Sequence, residues 1–133
     1  MSITVYCTYC SAKKNPEKKP IQATKRYVSR RINFVAKEAQ SAQSMFMILS
    51  GKYGLIDAHH MIPDYDHLLI EEELEAHSAV VATQLKNKNI GEIIFYMGNT
   101  RRDRKIKPYA QSMIMARKKA NTTLEIRNVS ENE

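Results

Sequence analysis

The sequence predicts a three-layer α/β domain in which a mainly parallel, four-stranded sheet carries helices on both faces. Strand-like and helix-like segments alternate along the chain in the order β-α-β-α-β-α-β, which is typical of a parallel sheet with right-handed crossovers. The chain has 133 residues, 43% of them hydrophobic, which suits a single domain with one core spanning residues 1–133. No repeat or low-complexity segment interrupts the pattern.

Four segments have the composition of strands. Ile3 to Cys7 alternates and is rich in β-forming residues, and Thr122 to Val129 alternates in the same way. Met45 to Leu49 is an unbroken apolar run, as expected for a buried strand, and Ile90 to Met97 is predicted to be the third strand in chain order. We expect residues 130–133 to form a frayed end.

Three helices are predicted between these strands. The first runs from Gln22 or Thr24 to Gln40, where apolar residues recur near helical spacing. The second runs from Glu71 to Lys88 and is acidic in its first turn and basic in its last, as the helix macrodipole favours. The third starts at Pro108, since proline suits a first helical turn, and ends at Ala120.

The second strand is followed by Ser50-Gly51-Lys52-Tyr53-Gly54, which we interpret as the start of a tight loop that runs to Asp66. Ligands bind outside the carboxyl ends of the strands in α/β sheets, so this loop is a candidate binding site. Its glycines would let backbone N–H groups approach a ligand, and its serine and lysine supply a hydroxyl and a cation. Tyr53 or Tyr65 would stack on a base. The alternatives are a tight turn for the glycines and core packing for Tyr65.

The loop after the first strand should lie beside this one, because the two strands are neighbours in the predicted sheet. It would contribute Ser11, Lys13 and Lys14, and Lys13 together with Lys52 of the other loop would hold phosphate. N-glycosidic cleavage needs a carboxylate that activates water or stabilises an oxocarbenium-like centre, and Asp66 is our first candidate for it, with Asp64 the second. The alternative for Asp66 is to cap the second helix or to lock the loop ahead of it.

The formal charge of +7 is unevenly distributed. Ser11 to Lys37 holds nine basic residues and one acid, Arg101 to Lys119 holds eight basic residues and one acid, and Asp57 to Glu75 holds seven acids and no lysine or arginine. If both basic segments lie on one face, they form a surface that attracts phosphate. The alternative is a solvated surface that is merely basic.

Individual basic side chains are candidates for contacts with a nucleic-acid backbone. The loop after the third strand contains several of them, and the first predicted helix adds others on its outer side. These candidates are Arg26, Arg30, Arg101, Arg102, Arg104 and Lys105.

Three pieces of the first half of the chain, in this order, resemble a known family. They are Cys10-Ser11-x-Lys13-Lys14, Tyr27-x-Ser29-x-x-x-x-Phe34, and Ile48-Leu49-Ser50-x-Lys52-Tyr53-Gly54-Leu55 with Ile62-Pro63-x-Tyr65-Asp66 and Leu69. Together they resemble a small uncharacterised bacterial and phage family. That family is distantly similar to the YaaA peroxide-stress proteins and to the uracil-DNA-glycosylase-like domain of archaeal tRNA-modifying enzymes.

The resemblance covers the chain up to Leu69, and beyond it only the architecture is similar. It implies a uracil-DNA-glycosylase-like α/β fold, a site at the loop after the second strand, and a nucleobase or nucleic-acid ligand. It also makes Ser29 a candidate binding residue, although a solvent-facing helix position would explain that residue equally. The catalytic signatures of uracil-DNA glycosylases are not recognisable here, so their activity does not carry over.

Cysteine and histidine usage gives no clear redox or metal motif. The C-x-x-C of Cys7 and Cys10 has no second pair, and Cys7 still belongs to a strand pattern, so we expect a buried thiol and a loop residue rather than a redox centre. We expect no metal and no cofactor. The alternative is a metal site in which His59, His60 and His67 bind the ion together with the carboxylate of Asp57 or Asp64.

These observations predict a protein that binds nucleic acid or a nucleotide, with DNA favoured over RNA, and that hydrolyses or transfers at an N-glycosidic bond. The alternatives are a non-enzymatic DNA-binding module and a binder of a free nucleotide or nucleotide sugar. No run of 18 apolar residues and no secretory signal is present, so we expect a soluble, cytoplasmic protein without a membrane partner. The sequence does not indicate an oligomeric state.

Overall fold

The computed structural model of the chain describes residues 2–130. Strands in these residues are β1 (Ile3–Tyr9), β2 (Ile21–Gln22), β3 (Met45–Ser50), β4 (Gly54–Asp57), β5 (Met61–Ile62), β6 (Ile90–Met97) and β7 (Thr123–Asn128). The main sheet has the order β4-β3-β1-β6-β7, and β2 pairs separately with β5. β1, β3, β6 and β7 run parallel, whereas β4 is antiparallel to β3 at one edge.

Helices cover both faces of the sheet. They are α1 (Ala23–Arg26), α2 (Arg30–Ser41), α3 (Leu74–Asn87) and α4 (Lys107–Ala120), with 3₁₀ turns at Glu71–Glu73 and Arg104–Ile106. Val35 of α2 packs against Ile94 and Tyr96. Phe95, which lies between those two in β6, belongs instead to the larger core that includes Leu85 and Met113 of α3 and α4. Because neighbouring strand residues point to opposite faces, α2 covers one face and α3 and α4 cover the other.

The predicted α/β class and mainly parallel sheet are confirmed, but the sheet has five strands rather than four. The additional strand β4 lies inside the predicted loop, because the chain turns back after β3 in a hairpin. Ser50 Oγ accepts hydrogen bonds from the backbone N–H groups of Lys52 and Tyr53, both at 3.1 Å. Gly54 then adopts a φ of 73°, which glycine reaches without strain. Four residues of strand between polar segments leave little periodicity in the sequence.

The prediction of one continuous first helix is wrong. The structure has two helices there, α1 and α2, separated by an extended break at residues 27–29. The break pairs with the loop after β1, where the Val28 N–H donates to the Lys13 carbonyl at 3.0 Å. Ser29 is the N-cap of α2, and its Oγ accepts a hydrogen bond from the Ile32 N–H at 3.1 Å. Tertiary pairing with a distant loop therefore overrides the helical spacing.

The other helices begin and end close to their predicted positions. Pro108 lies in the first turn of α4, and Asn121 ends that helix in a left-handed conformation with a φ of 56°. Within residues 2–130 we find no helix that combines the length and the apolar content needed to cross a bilayer. Of the predicted frayed end, Ser130 is exposed, and residues 131–133 lie outside the described residues.

Candidate functional site

A cleft opens at the carboxyl ends of β1 and β6. The chain leaves β1 toward α2 and leaves β6 toward α4, so the two connections diverge onto opposite faces of the sheet. α/β sheets bind ligands at such switch points. The cleft is lined by Tyr9, Cys10, Ser11, Ala12, Lys14, Asp66, His67, Leu68, Asp103, Lys105, Ile106 and Tyr109.

The three charged segments of the sequence meet in this cleft. Lys14 comes from the first basic segment, Lys105 from the second, and Asp66 from the acidic segment between them. Lys105 and Asp66 are exposed, and neither side chain forms an ion pair or hydrogen bond with another residue of the described chain. The cleft therefore carries two lysines and two carboxylates, since Asp103 also lines it. Of these four side chains, Lys105 and Asp66 are exposed, whereas Lys14 is half-buried and Asp103 accepts a hydrogen bond from the Lys105 N–H at 3.0 Å.

The predicted juxtaposition of the loops after β1 and β3 is present, and Tyr65 lies between them. The Lys14 ammonium lies 5.0 Å from the centre of the Tyr65 ring, and the Lys52 ammonium lies 5.9 Å from it on the other loop. Tyr53 meets the same ring edge-on, with the ring centres 5.2 Å apart. These contacts set the directions of the two lysines. Lys13 is exposed on the same loop as Lys14.

A buried hydroxyl cluster lies behind the lysines. Ser50 Oγ lies 2.8 Å from the Tyr65 hydroxyl, which is in turn hydrogen-bonded to the Tyr27 hydroxyl. Because Ser50 Oγ already accepts two backbone N–H bonds, its own proton is directed to Tyr65. Burial raises the pKa of both tyrosines far above the ordinary value, so both hydroxyls stay protonated.

This cluster changes the roles predicted for Ser50 and Tyr65. The Ser50 side chain is fully buried and holds the hairpin turn, so it cannot touch a ligand. Tyr65 is 9% exposed and belongs to the main hydrophobic core, so its ring packs against protein rather than stacking on a base. Tyr53 is half-buried and remains the stacking candidate of this pair.

The predicted ligand contacts of Gly51 and Gly54 are also replaced by structural roles. A Cβ on Gly51 would lie 3.0 Å from the His67 carbonyl and 3.0 Å from the Leu69 nitrogen, so the hairpin packs tightly on the backbone that follows Asp66. A Cβ on Gly54 would lie 2.5 Å from Oε1 of Gln84. Both glycines are needed for close packing and for the turn. The tight turn was the alternative to ligand contact in the sequence analysis.

The two serines from the resemblance differ in their exposure to the cleft. Ser11 lines the cleft and donates a hydrogen bond to the Lys13 carbonyl at 2.7 Å, which orders the loop that carries the lysines. Ser29 is 6% exposed and its hydroxyl caps α2. Ser29 is therefore a structural residue, and the prediction that it binds substrate is wrong for this arrangement.

The two carboxylate candidates are separated by the structure. Asp66 lines the cleft, whereas Asp64 is exposed but does not line it. The N-cap of the turn that precedes α3 is Ile70, whose N–H donates to the Glu73 carboxylate at 3.2 Å. Asp66 therefore neither caps a helix nor locks its loop by a hydrogen bond within residues 2–130.

The candidate arginines divide into buried and exposed groups. Arg26 is fully buried, and its guanidinium donates to four backbone carbonyls, so the predicted contact with nucleic acid is wrong. Arg30 is exposed at the start of α2. The loop after β6 is ordered by Asn99, whose side chain accepts from the N–H groups of Arg101 and Arg102 at 2.8 and 3.4 Å. The side chains of Arg101, Arg102 and Arg104 are exposed.

Comparison with known families identifies this chain. The model of DUF6884, a family of unknown function, matches residues 5–127. The chain belongs to the DUF6884 family. No curated protein and no solved structure matched it. Every residue that lines the cleft lies within the part of the chain that matches the DUF6884 model.

Sequence reasoning missed several residues of the cleft in this DUF6884 protein. Cys10 follows β1 directly, and its Sγ lies 3.6 Å from the hydroxyl of Tyr109 in the first turn of α4. His67, next to Asp66, lies 3.0 Å from the Glu73 carboxylate. The position of Cys10 immediately after a parallel strand could have identified it as a cleft residue. The position of Tyr109 in the first turn of the helix that follows a parallel strand is the same kind of signal.

A buried histidine supports the hairpin from behind. His77 of α3 donates from Nε2 to the Ser50 carbonyl at 2.8 Å, and its Nδ1 accepts from the Ser112 hydroxyl of α4 at 2.5 Å. Burial lowers the pKa of His77, which keeps the ring neutral and able to accept.

The histidine and cysteine clusters do not form a binding site for a metal. Within residues 2–130, no group of three or more histidine, cysteine or acidic side chains is placed to hold an ion. His59 and His60 are exposed, and the His59 N–H is bound by the Asp57 carboxylate at 2.9 Å. Cys7 and Cys10 are free thiols, and burial raises the pKa of Cys7 far above its usual value. Cys7 is therefore an inert core thiol.

Proposed function

We propose that this protein binds a phosphate-bearing nucleobase ligand, a nucleic acid or a nucleotide, in the cleft at the carboxyl ends of β1 and β6. The observation that carries this proposal is the meeting of Lys14 and Lys105 across the cleft, each from a different basic segment. Neither ammonium forms an ion pair with a carboxylate within residues 2–130, so both are available to attract an anion that enters the cleft.

The surroundings of the cleft favour phosphate on a polymer or a nucleotide over a simple carboxylate ligand. Exposed cations continue outward from it on both flanks, including Lys13, Lys52, Arg102 and Arg104. Tyr53, which lines a separate groove on the other side of Tyr65, supplies a half-buried ring beside Lys52, whose ammonium lies 5.4 Å from the ring centre. Cations beside an accessible ring suit a ligand that combines phosphate with a base.

A second candidate, hydrolysis at an N-glycosidic bond, is favoured by Asp66. This carboxylate is exposed in the cleft and is not engaged by another described residue. It would accept a proton from a water that attacks the anomeric carbon while the bond from that carbon to the base nitrogen breaks. The base leaves with the electron pair of that bond and takes up a proton from solvent, and Asp66 then returns its proton to solvent. The resemblance to YaaA-like and uracil-DNA-glycosylase-like proteins supports the same proposal, with a cytoplasmic protein as its setting.

Binding is tested by titrating the protein with labelled single-stranded and duplex DNA and RNA oligonucleotides and with mononucleotides over a salt series. We expect Lys14→Gln and Lys105→Gln each to weaken binding about three- to tenfold and to reduce the salt slope, which is about 0.7 per phosphate contact for single strands. Lys118→Gln is the matched control, because Lys118 is exposed at the opposite end of α4. Equal affinity for all four proteins would contradict the proposal.

Catalysis is tested in the same mixtures by chromatographic analysis for released base. Asp66→Asn should abolish release and keep the affinity, because the amide has the same shape but cannot take up the proton. Asp64→Asn is the matched control, since Asp64 lies two residues away and outside the cleft. Binding without release in the unmodified protein would leave a non-enzymatic binding module.

A further inference from the structure

A second groove opens at the carboxyl edge of the sheet, on the α2 side. Its empty volume is about 680 Å³, and Arg30, Arg31, Phe34, Asn128, Val129 and Ser130 line it. We call it the α2 groove. Two arginines and one aromatic ring line this groove, and none of its lining residues within the described chain is acidic.

Phe34 is an exposed ring in a fixed position. It is 48% exposed although it belongs to an amphipathic helix. The ring of Tyr96 supports it edge-on, with the ring centres 6.2 Å apart and the planes at 79°. Tyr96 is itself held by a hydrogen bond from Arg127 at 3.1 Å and by one to Glu38 at 3.4 Å. A held ring with an open face is what a stacking partner needs.

Arg31, the buried residue of the α2 groove, connects the groove to the end of β1 through its guanidinium. It donates to the Tyr9 carbonyl at 2.6 Å and to the Cys10 carbonyl at 3.3 Å, and it lies 3.5 Å from the centre of the Tyr9 ring. Tyr9 and Cys10 also line the cleft described above. The groove and the cleft are thus separated only by the carboxyl end of β1.

A further groove joins the α2 groove to the loop after β6. It shares Asn128 and Val129 with the α2 groove and extends along Gly98, Asn99, Thr100 and Arg101. The next residues of that loop, from Asp103 onward, line the cleft. The α2 groove, this further groove and the cleft therefore follow one another along the carboxyl edge of the sheet, from Phe34 past Arg101 to Lys105.

We propose that the α2 groove is a stacking subsite for an unpaired base of single-stranded nucleic acid, with a neighbouring nucleotide in the cleft. This inference rests on the proposed function and extends it from one nucleotide to a strand. Single-strand binders combine a cationic path for the backbone with aromatic rings on which bases stack. Here the ring is Phe34, and the exposed Arg30 and Arg101 supply the cations. The base pairs of a duplex would be unable to stack on this ring.

The chain contains no tryptophan, so a single introduced indole reports on this ring alone. We expect the fluorescence of Phe34→Trp to be quenched by single-stranded dT or rU oligonucleotides of about 15 residues and far less by duplex DNA of the same length. Ile114→Trp is the matched control, because Ile114 is 39% exposed on α4 and lines neither groove. Its fluorescence should change little with any of these oligonucleotides.

Affinity gives the second readout. Phe34→Ala should weaken binding of the 15-residue oligonucleotides about tenfold and leave binding of a mononucleotide in the cleft unchanged, since loss of one stacked base costs roughly five- to 150-fold. Phe34→Leu should lose as much oligonucleotide affinity as Phe34→Ala, because leucine keeps an apolar side chain but has no ring on which a base can stack. Val80→Ala on α3, which removes another exposed apolar side chain, should leave both affinities unchanged.

The outcomes separate this inference from the proposed function. If mononucleotide and oligonucleotide both bind, but Phe34→Trp is not quenched and Phe34→Ala binds normally, the stacking subsite is wrong and the cleft stands. If Phe34→Ala loses oligonucleotide affinity while Lys14→Gln and Lys105→Gln have none of their expected effect, the subsite stands and the cleft proposal is wrong. Absence of all binding overturns both.

Discussion

Arg26, in the basic segment after β1, and the arginines of the basic loop after β6 have similar sequence surroundings and opposite roles. Arg26 donates to the carbonyls of Asn15, Glu17, Lys19 and Ile62 at 2.6 to 3.3 Å, and it is fully buried. Arg101, Arg102 and Arg104 are exposed and form no ion pair within residues 2–130. Both groups belong to strongly basic segments, so charge density alone does not separate them.

The comparison shows that a guanidinium can be a structural hub without a carboxylate. A loop with two prolines and four lysines cannot form regular structure, so its carbonyls lack strand or helix partners. The planar fork of Arg26 satisfies three of those carbonyls and joins them to the β2–β5 pair through Ile62. The cation thereby fixes the loop that carries Ser11 and Lys14, while the exposed arginines remain open for a partner.

The largest expected effect is that of Arg26→Met on stability. The change leaves several inward-facing carbonyls without a donor, so we expect the free energy of unfolding to fall by about 3 kcal/mol or more. Urea unfolding followed by circular dichroism measures it. Arg30→Met is the control, because the exposed Arg30 should cost less than about 0.5 kcal/mol. Equal unfolding midpoints for the two variants would show that the buried fork is not structural.

The same contrast applies to the hairpin, where Gly54 was predicted to contact a ligand. Gly54→Ala should lower the free energy of unfolding by about 1–2 kcal/mol, because φ is positive and the new Cβ would press on Gln84. Gln84 cannot simply move away, since its side chain binds the Leu55 N–H at 2.7 Å and the Tyr53 carbonyl at 3.0 Å. Nucleotide affinity, measured under conditions where the variant is folded, should be unchanged, and a loss of affinity there would restore a ligand role.

His77 sharpens the comparison, because a buried imidazole can release its proton and a buried guanidinium cannot. Its pKa is lower in the folded chain than in the unfolded chain, mainly through burial, so the unfolded state binds more protons at acid pH. Neutral His77 makes its full contribution to the free energy of unfolding at pH values above the pKa of histidine in the unfolded chain, about 6.5. That contribution is lost as the pH falls through the lower pKa of His77 in the folded chain. Glu73 raises the pKa and His67 lowers it, and neither outweighs burial.

Urea unfolding at pH 7.5, 6.5 and 5.5 measures this effect. The unmodified protein should lose stability across that range, and His77→Gln should lose clearly less, although it is less stable at pH 7.5. His60→Gln is the control, because His60 is exposed. Parallel pH profiles for the unmodified protein and His77→Gln would exclude His77 as the group that titrates.

The smallest expected effect on stability is that of replacing Arg101, Arg102 and Arg104 together by alanine. Exposed side chains without partners should change the free energy of unfolding by less than about 0.5 kcal/mol each. The same triple change should weaken oligonucleotide binding and reduce the slope of log K against log salt by up to about 2 for single strands. A destabilised triple variant with normal binding would reverse the roles assigned to the two arginine groups.

Local patterns in the sequence determined the order of the four parallel strands and of the three long helices, and they placed the ends of α3 and α4 within about three residues. Hydrophobic periodicity, Pro108 and the charges at the helix ends act within a few residues, so they are readable from the chain alone. The same patterns indicated where the parallel strands end, which located Lys14, Asp66 and Lys105 at one edge of the sheet. Periodicity could not reveal β4, because a strand of four residues after a turn has too few repeats.

Only the tertiary structure decided which of these residues face a ligand. Arg26 is buried because carbonyls up to 36 positions away converge on it, and the break at residues 27–29 exists because a loop pairs with it. Ser50 and Tyr65 do not contact a ligand, because their hydroxyls are hydrogen-bonded to each other although the residues are 15 positions apart in the chain. Such partners are chosen by packing in three dimensions, and no local property of an arginine, serine or tyrosine specifies them.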